Sequence, residues 1–238
     1  AKKGEKWRVV VTPHDGSAAG LPVELFFSVA NSPPLPPKVS INPEKPKVTD
    51  FLGAVVVESS KDADNDQVSY RYRWFRNGEL QPERDAKLAP GRAKRGERWR
   101  VEVTPFDGTV TGAPSTADVV VVNTAPSVPV LRVVPDPSRV ADDLECRIET
   151  PPVDADGDPL RIEVTWFRDG KPQSYGRDRF KLGRDRGIHG AEWACEVRVS
   201  DKVTAVTARA TGKQANTPPT SPTIEIVPKT PRRTDTLA

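Results

Sequence analysis

The chain has no methionine, two cysteines and two histidines among its 238 residues. His14 and His189 occupy non-equivalent places, and neither stands with the Ser, Cys or carboxylate partners that a catalytic triad or a zinc site requires. A large excess of charge is also lacking. The 36 basic and 33 acidic residues leave a net charge of +3, which excludes the strong basic bias of a dedicated nucleic-acid binder. No secretory leader, membrane span, phosphate loop or dinucleotide fingerprint is found. Aromatic residues are only 6%, while there are 16 glycines and 25 prolines. This is the composition of short strands joined by many turns, not of helices.

Repetition is what the chain has instead. Residues 7–16 read WRVVVTPHDG, residues 99–108 read WRVEVTPFDG, and a weaker third copy, WACEVRVSDK, fills 193–202, at offsets of 92 and 94 residues. DADND at 62–66 returns as DADGD at 154–158, and WFRNG at 74–78 as WFRDG at 166–170. NSPPLPP at 31–37 returns as NTAPSVP at 123–129 and NTPPTSP at 216–222. A period this long is one small domain per repeat, so the chain is an array. Arrays act through length, spacing and surface, which points away from a single catalytic centre, and no enzymatic activity is expected.

Within the repeats the apolar residues alternate with period two. Leu144, Cys146 and Ile148 share one face of their segment, as do Ile162, Val164 and Trp166, and Trp193, Cys195, Val197 and Val199. Glu145, Arg147, Glu149, Ala194, Glu196 and Arg198 take the opposite faces. One buried and one wet face per strand is the requirement of an antiparallel sandwich. Asn77-Gly78 and Asp169-Gly170 supply the positive φ angles of two-residue hairpins. The order Cys146, Trp166, Cys195 is that of immunoglobulin domains, with cysteines on strands B and F and the Trp on strand C. A Cys146–Cys195 bridge is therefore expected, and with it an oxidising compartment. The preceding repeat has Ala54, Trp74, Trp99 and Val101 at the corresponding places.

The phase of the repeat gives the domain plan. Ala1 aligns with Ala93, late in a repeat, and Ala238 with Glu145, early in one. The expectation is a window on a longer polypeptide. Residues 1–33 carry the F and G strands of a truncated domain, 37–123 and 128–216 are complete domains, and 221–238 begin a further one. The prolines at 33, 34, 36 and 37, and at 126 and 129, stiffen the two linkers, so a rod-like array is expected.

The words at 154–166, 99–108 and 216–222 resemble DxDGDP(L/V)xxxxxW, W(T/R)CxVTPxDG and NTPPTxP of the immunoglobulin-like repeats of very large bacterial cell-surface proteins. PKD and cadherin-like sandwiches are similar in their Asp-rich turn before a strand that ends in Trp. The resemblance covers essentially the whole chain. It implies an all-β, extracellular, non-catalytic array: a stalk or filament segment at a bacterial surface. Its partners would be neighbouring domains of the same chain and other copies in a surface assembly. The alternatives are a ligand-binding adhesin gripping glycan or protein, an accessory region of an enzyme, and a virus tail or decoration domain. One departure is VRVSDK at 197–202 in place of VTPxDG, which leaves the shape of the hairpin there an open question.

Candidate metal ligands are the aspartates. Asp62, Asp64 and Asp66 lie in one B–C loop, and Asp154, Asp156 and Asp158 in the next. Carboxylates so close repel unless neutralised, and hard oxygen ligands suit Ca²⁺. The F–G turns add Asp107 and Asp201, and the incoming linkers add Asn31 and Asn123. By the topology of the fold these groups converge where strand A enters, as in Ca²⁺-stiffened cadherin-like arrays. An affinity of about 10⁻⁴–10⁻³ M is expected for such a site. The aspartates could equally serve only as acceptors for backbone N–H groups in a tight turn, and sequence leaves both readings open. The basic stretches 84–100 and 177–189 suit either contact with acidic polysaccharide or lipid head groups or a solvated face with interspersed acids.

Overall fold

A computed structural model of the chain describes residues 1–174, 178–183, 190–216, 218–225, 227 and 232–233. These residues form β-strands and turns without a helix. The chain divides into two compact units, residues 1–125 with 154–158, and residues 126–153 with 159–238.

The first unit opens with a hairpin, β1 (Lys6–Val11) paired antiparallel to β2 (Val23–Ser28). A sandwich follows. One sheet holds β3 (Lys38–Asn42), β4 (Leu52–Glu58) and β7 (Lys87–Leu88) in the order β3-β4-β7. The other holds β5 (Ser69–Arg76), β6 (Glu79–Leu80), β8 (Arg98–Phe106) and β9 (Ser115–Val120) in the order β6-β5-β8-β9. These are strands A-B-E facing C′-C-F-G, an immunoglobulin-like arrangement. The period-two pattern drives it, since Trp99, Val101 and Val103 alternate inward along β8 and are buried with Trp74, Leu52 and Leu88. Each buried Val or Leu contributes roughly 1.5–3 kcal/mol relative to exposure.

The second unit repeats the plan. β10 (Val130–Val134), β11 (Leu144–Thr150) and β14 (Lys181–Leu182) form one sheet. β12 (Arg161–Arg168), β13 (Lys171–Pro172), β15 (Glu192–Ser200) and β16 (Ala205–Lys213) form the other, in the order β13-β12-β15-β16. Cys146 on β11 and Cys195 on β15 are disulfide-bonded across the sheets, with Cα atoms 5.9 Å apart. Ala54 and Val101 fill that place in the first unit. In both sandwiches the strand-C Trp meets the strand-F Trp edge to face, with ring centroids 6.4 Å apart. The strand-C indole N–H donates to a backbone carbonyl in each, Trp74 to Asp85 at 2.9 Å and Trp166 to Arg179 at 2.8 Å.

The hairpins after strand C have positive φ at both central residues, 50° and 91° at Asn77-Gly78 and 50° and 75° at Asp169-Gly170. Two positions differ from the alternating pattern. Ile162, expected inside, is 37% exposed near the start of β12. Ala194, expected on the wet face, is buried. It lies opposite Phe167, over whose ring Arg209 stacks. Trp7 is 46% exposed where its counterpart Trp99 is buried, because residues 1–33 bring two strands and no opposing sheet. The described residues of 218–233 contain no strand.

Candidate cation-binding loops

Each aspartate loop is built on its own first carboxylate. Asp62 Oδ1 accepts the amides of Asp64 at 2.8 Å and Asp66 at 3.2 Å. Asp154 Oδ1 accepts those of Asp156 at 2.9 Å and Asp158 at 3.1 Å. The loop then needs one residue at positive φ, which is Asn65 at 63° in one copy and Gly157 at 81° in the other. Asn tolerates that region better than other side chains do, so two different residues give the same turn.

The second aspartate of each loop holds the linker that enters its domain. Asp64 Oδ2 accepts the Ser32 amide at 2.7 Å, and Asp156 Oδ2 accepts the Thr124 amide at 2.6 Å. Residues 154–158 belong to the same compact unit as Thr124. The third aspartate of each loop meets a base. Lys3 Nζ donates to Asp66 Oδ2 at 2.6 Å, and this bond raises the lysine pKa. Arg95 pairs with both carboxylate oxygens of Asp158 and donates to Asn123 Oδ1 at 2.6 Å. Ser32 and Thr124, and Lys3 and Arg95, each stand 92 residues apart. That common offset was the signal for four participants that reading for acids alone passes over.

In the first loop, carboxylate oxygens of Asp62, Asp66 and Asp107 gather within 4.8 Å of one another. Asp107 sits in the β8–β9 turn, where its Oδ1 accepts the amides of Thr109 and Val110, each at 2.7 Å. Its Oδ2 accepts the Asn31 side-chain amide at 2.8 Å. The Asn31 bond, followed by the Val110 and Thr109 amides, holds the Asp107 carboxyl below its usual range. Asp62 Oδ2 and Asn31 Oδ1 are buried and accept no hydrogen bond. The carboxylates of Asp62, Asp66 and Asp107, with one buried oxygen of Asp62 that accepts no hydrogen bond, are a donor set suited to a hard divalent cation.

In the second loop Asp154, Asp156 and Asp158 form the corresponding group, and Asp154 Oδ2 is likewise buried without a hydrogen bond. Asp201 accepts the amides of Val203 and Thr204 at 2.7 and 2.6 Å within its own turn.

Three bases of the stretch at 84–100 are matched by acids of its own sandwich. Arg92 pairs with Glu83, and Arg98 and Arg100 pair with Asp118. A shallow cleft of about 580 Å³ borders this pair, lined among others by Phe75, Arg98, Arg100 and Asp118. Positions 177 and 184–189 of the second stretch, His189 among them, lie outside the described residues.

No known family model matches the chain, and no curated protein matches it. Among solved structures, it is similar to the FN1–FN3 domains of chicken CNTN1, at 10% identity and a TM-score of 0.36, over 90% of this chain and 77% of that one. It is also similar to the four N-terminal Ig domains of Dscam1 isoform 7.44, at 14% identity and a TM-score of 0.28, over 72% of this chain and 42% of that one. Likenesses this distant add nothing to what the strand order already shows.

Proposed function

We propose that this chain is a structural segment, a stalk or filament piece, of a large extracellular bacterial surface protein built from immunoglobulin-like repeats. We further propose that Ca²⁺ stiffens its first linker. One observation carries the reading. The same constellation of linker amide, aspartate loop and basic residue occurs twice at one offset, at Ser32, 62–66 and Lys3 and again at Thr124, 154–158 and Arg95. A repeated contact between a linker and a loop serves the spacing of an array. Proline-rich linkers favour a rod over freely jointed beads. The Cys146–Cys195 bridge supports a location outside a reducing cytoplasm. No helix among the described residues is long and apolar enough to cross a membrane. Ca²⁺ would be held by Asp62, Asp66, Asp107 and the Asn31 carbonyl oxygen, where it would supply charge neutralisation and no chemistry.

Small-angle scattering and thermal melts of the whole chain, with millimolar CaCl₂ and with chelator, test this. The expected profile is elongated. A site saturated tenfold above its Kd raises stability by about 1.4 kcal/mol through mass action, and Asp62→Asn removes that gain. A folded-back profile defeats the rod, and superimposable melts defeat the calcium reading.

A further inference from the structure

The two aspartate loops share a backbone but differ in what neutralises them. At the first, Lys3 makes one bond to one oxygen of Asp66, at 2.6 Å, and the buried Asn31 Oδ1 is left without a hydrogen bond. Asp62 Oδ2 and Asp154 Oδ2 are both buried without a hydrogen bond and both loops gather three carboxylates, so what separates the loops is the base and the asparagine oxygen. At the second, Arg95 bonds both oxygens of Asp158 and also Asn123 Oδ1, the counterpart of the Asn31 oxygen. A planar guanidinium fork matches a carboxylate bidentately and keeps its charge at any pH a folded protein meets, whereas an ammonium is a point charge on a flexible stem. Displacing Arg95 would break three hydrogen bonds, and displacing Lys3 only one.

We infer that Arg95 is the resident counter-ion of the second loop, filling with a guanidinium the role that a divalent cation takes at the first, so that the chain binds one such cation and not two. The half of this statement that concerns the first loop rests on the calcium reading above. The half that concerns Arg95 stands on its own contacts, all within the compact unit that holds residues 1–125 and 154–158.

Two experiments on the whole chain separate these halves. The first is a charge-swap cycle read by amide hydrogen exchange at Thr124, Asp156 and Asp158, in chelator. Arg95→Glu and Asp158→Arg are each expected to speed exchange about three- to fivefold, the upper part of the range for a partly exposed ion pair. The double variant is expected to restore protection, and Arg95→Lys to keep part of it. Exchange unchanged by Arg95→Glu, or a double variant no better than the singles, overturns the counter-ion. The second is calorimetric titration of chelator-stripped protein with CaCl₂. One equivalent is expected for the wild type, two for Arg95→Gln, and none for Asp62→Asn. Two equivalents in the wild type, or no gain in Arg95→Gln over a wild type that binds one, overturn the inference. No binding by either protein removes the calcium reading and leaves the swap cycle to judge Arg95.

Discussion

Glu97 accepts the indole N–H of buried Trp99 at 3.0 Å, and Glu5 does the same for Trp7 at 3.2 Å. The third copy has Ala191 at this position, and Trp193 Nε1 is buried with no hydrogen-bond partner. A carboxylate two residues before the strand-F Trp is therefore part of how the core closes, and the second sandwich does without it. Leaving a buried donor unsatisfied costs about 1–3 kcal/mol. Glu97→Ala is accordingly expected to destabilise the 37–123 sandwich by about that amount, as read by urea denaturation. The same denaturation with no loss would mean that the indole is satisfied another way. The Glu-x-Trp spacing was visible in two repeats, but its meaning was not. Only the packed structure shows that the indole edge turns toward the residue two places back.

At the scale of the element, the F–G hairpins answer the question raised by VRVSDK. The β8–β9 turn has Gly108 at φ 94°, and the β15–β16 turn places Lys202 at φ 78°. Both turns are closed by their aspartate, Asp107 or Asp201, accepting two amides. The changed sequence thus keeps the hairpin but puts a lysine where its Cβ crowds the backbone. Left-handed residues other than glycine carry a penalty of about 1–2 kcal/mol, part of which glycine returns as chain entropy. Lys202→Gly is expected to stabilise the second sandwich by about 0.5–1 kcal/mol, checked by its melting temperature, and a fall in that temperature would refute the account. Strand identity and hairpin position were legible from alternation and from Asn-Gly and Asp-Gly. The exposure of Ile162 and the burial of Ala194 were not, because they depend on which neighbour covers a strand rather than on its own period.

At the scale of the whole molecule, two sandwiches of one plan close their cores differently. Cys146 and Cys195 link residues 49 apart in the second, where Ala54 and Val101 pack in the first. Closing a loop of that length removes chain entropy worth about 4 kcal/mol in the loop-closure model. Scanning calorimetry with and without reductant is expected to show one transition lowered strongly and another unmoved. Equal shifts in both would contradict the assignment of the bridge to a single cooperative unit. The nearly balanced charge, +3 over 238 residues, is organised locally rather than as a field. Arg98 and Arg100 share Asp118, and Arg73 pairs with Glu102.

The sequence by itself determined the all-β class, the period of about 92 residues and the inward faces that carry both cysteines and the strand-C tryptophans. These follow from local periodicity and from words that recur at a fixed offset, and both are properties of the chain read in one dimension. It also marked the aspartate loops as places of concentrated charge. What neutralises that charge was decided only by the tertiary structure. Lys3 lies 63 residues from Asp66, Arg95 lies 63 from Asp158, and Asn31 lies 76 from Asp107. No local pattern joins residues so far apart. The folded backbone brings a linker, a turn before strand F and a B–C loop together at one place, and there oxygen atoms either meet a base or are left buried without one.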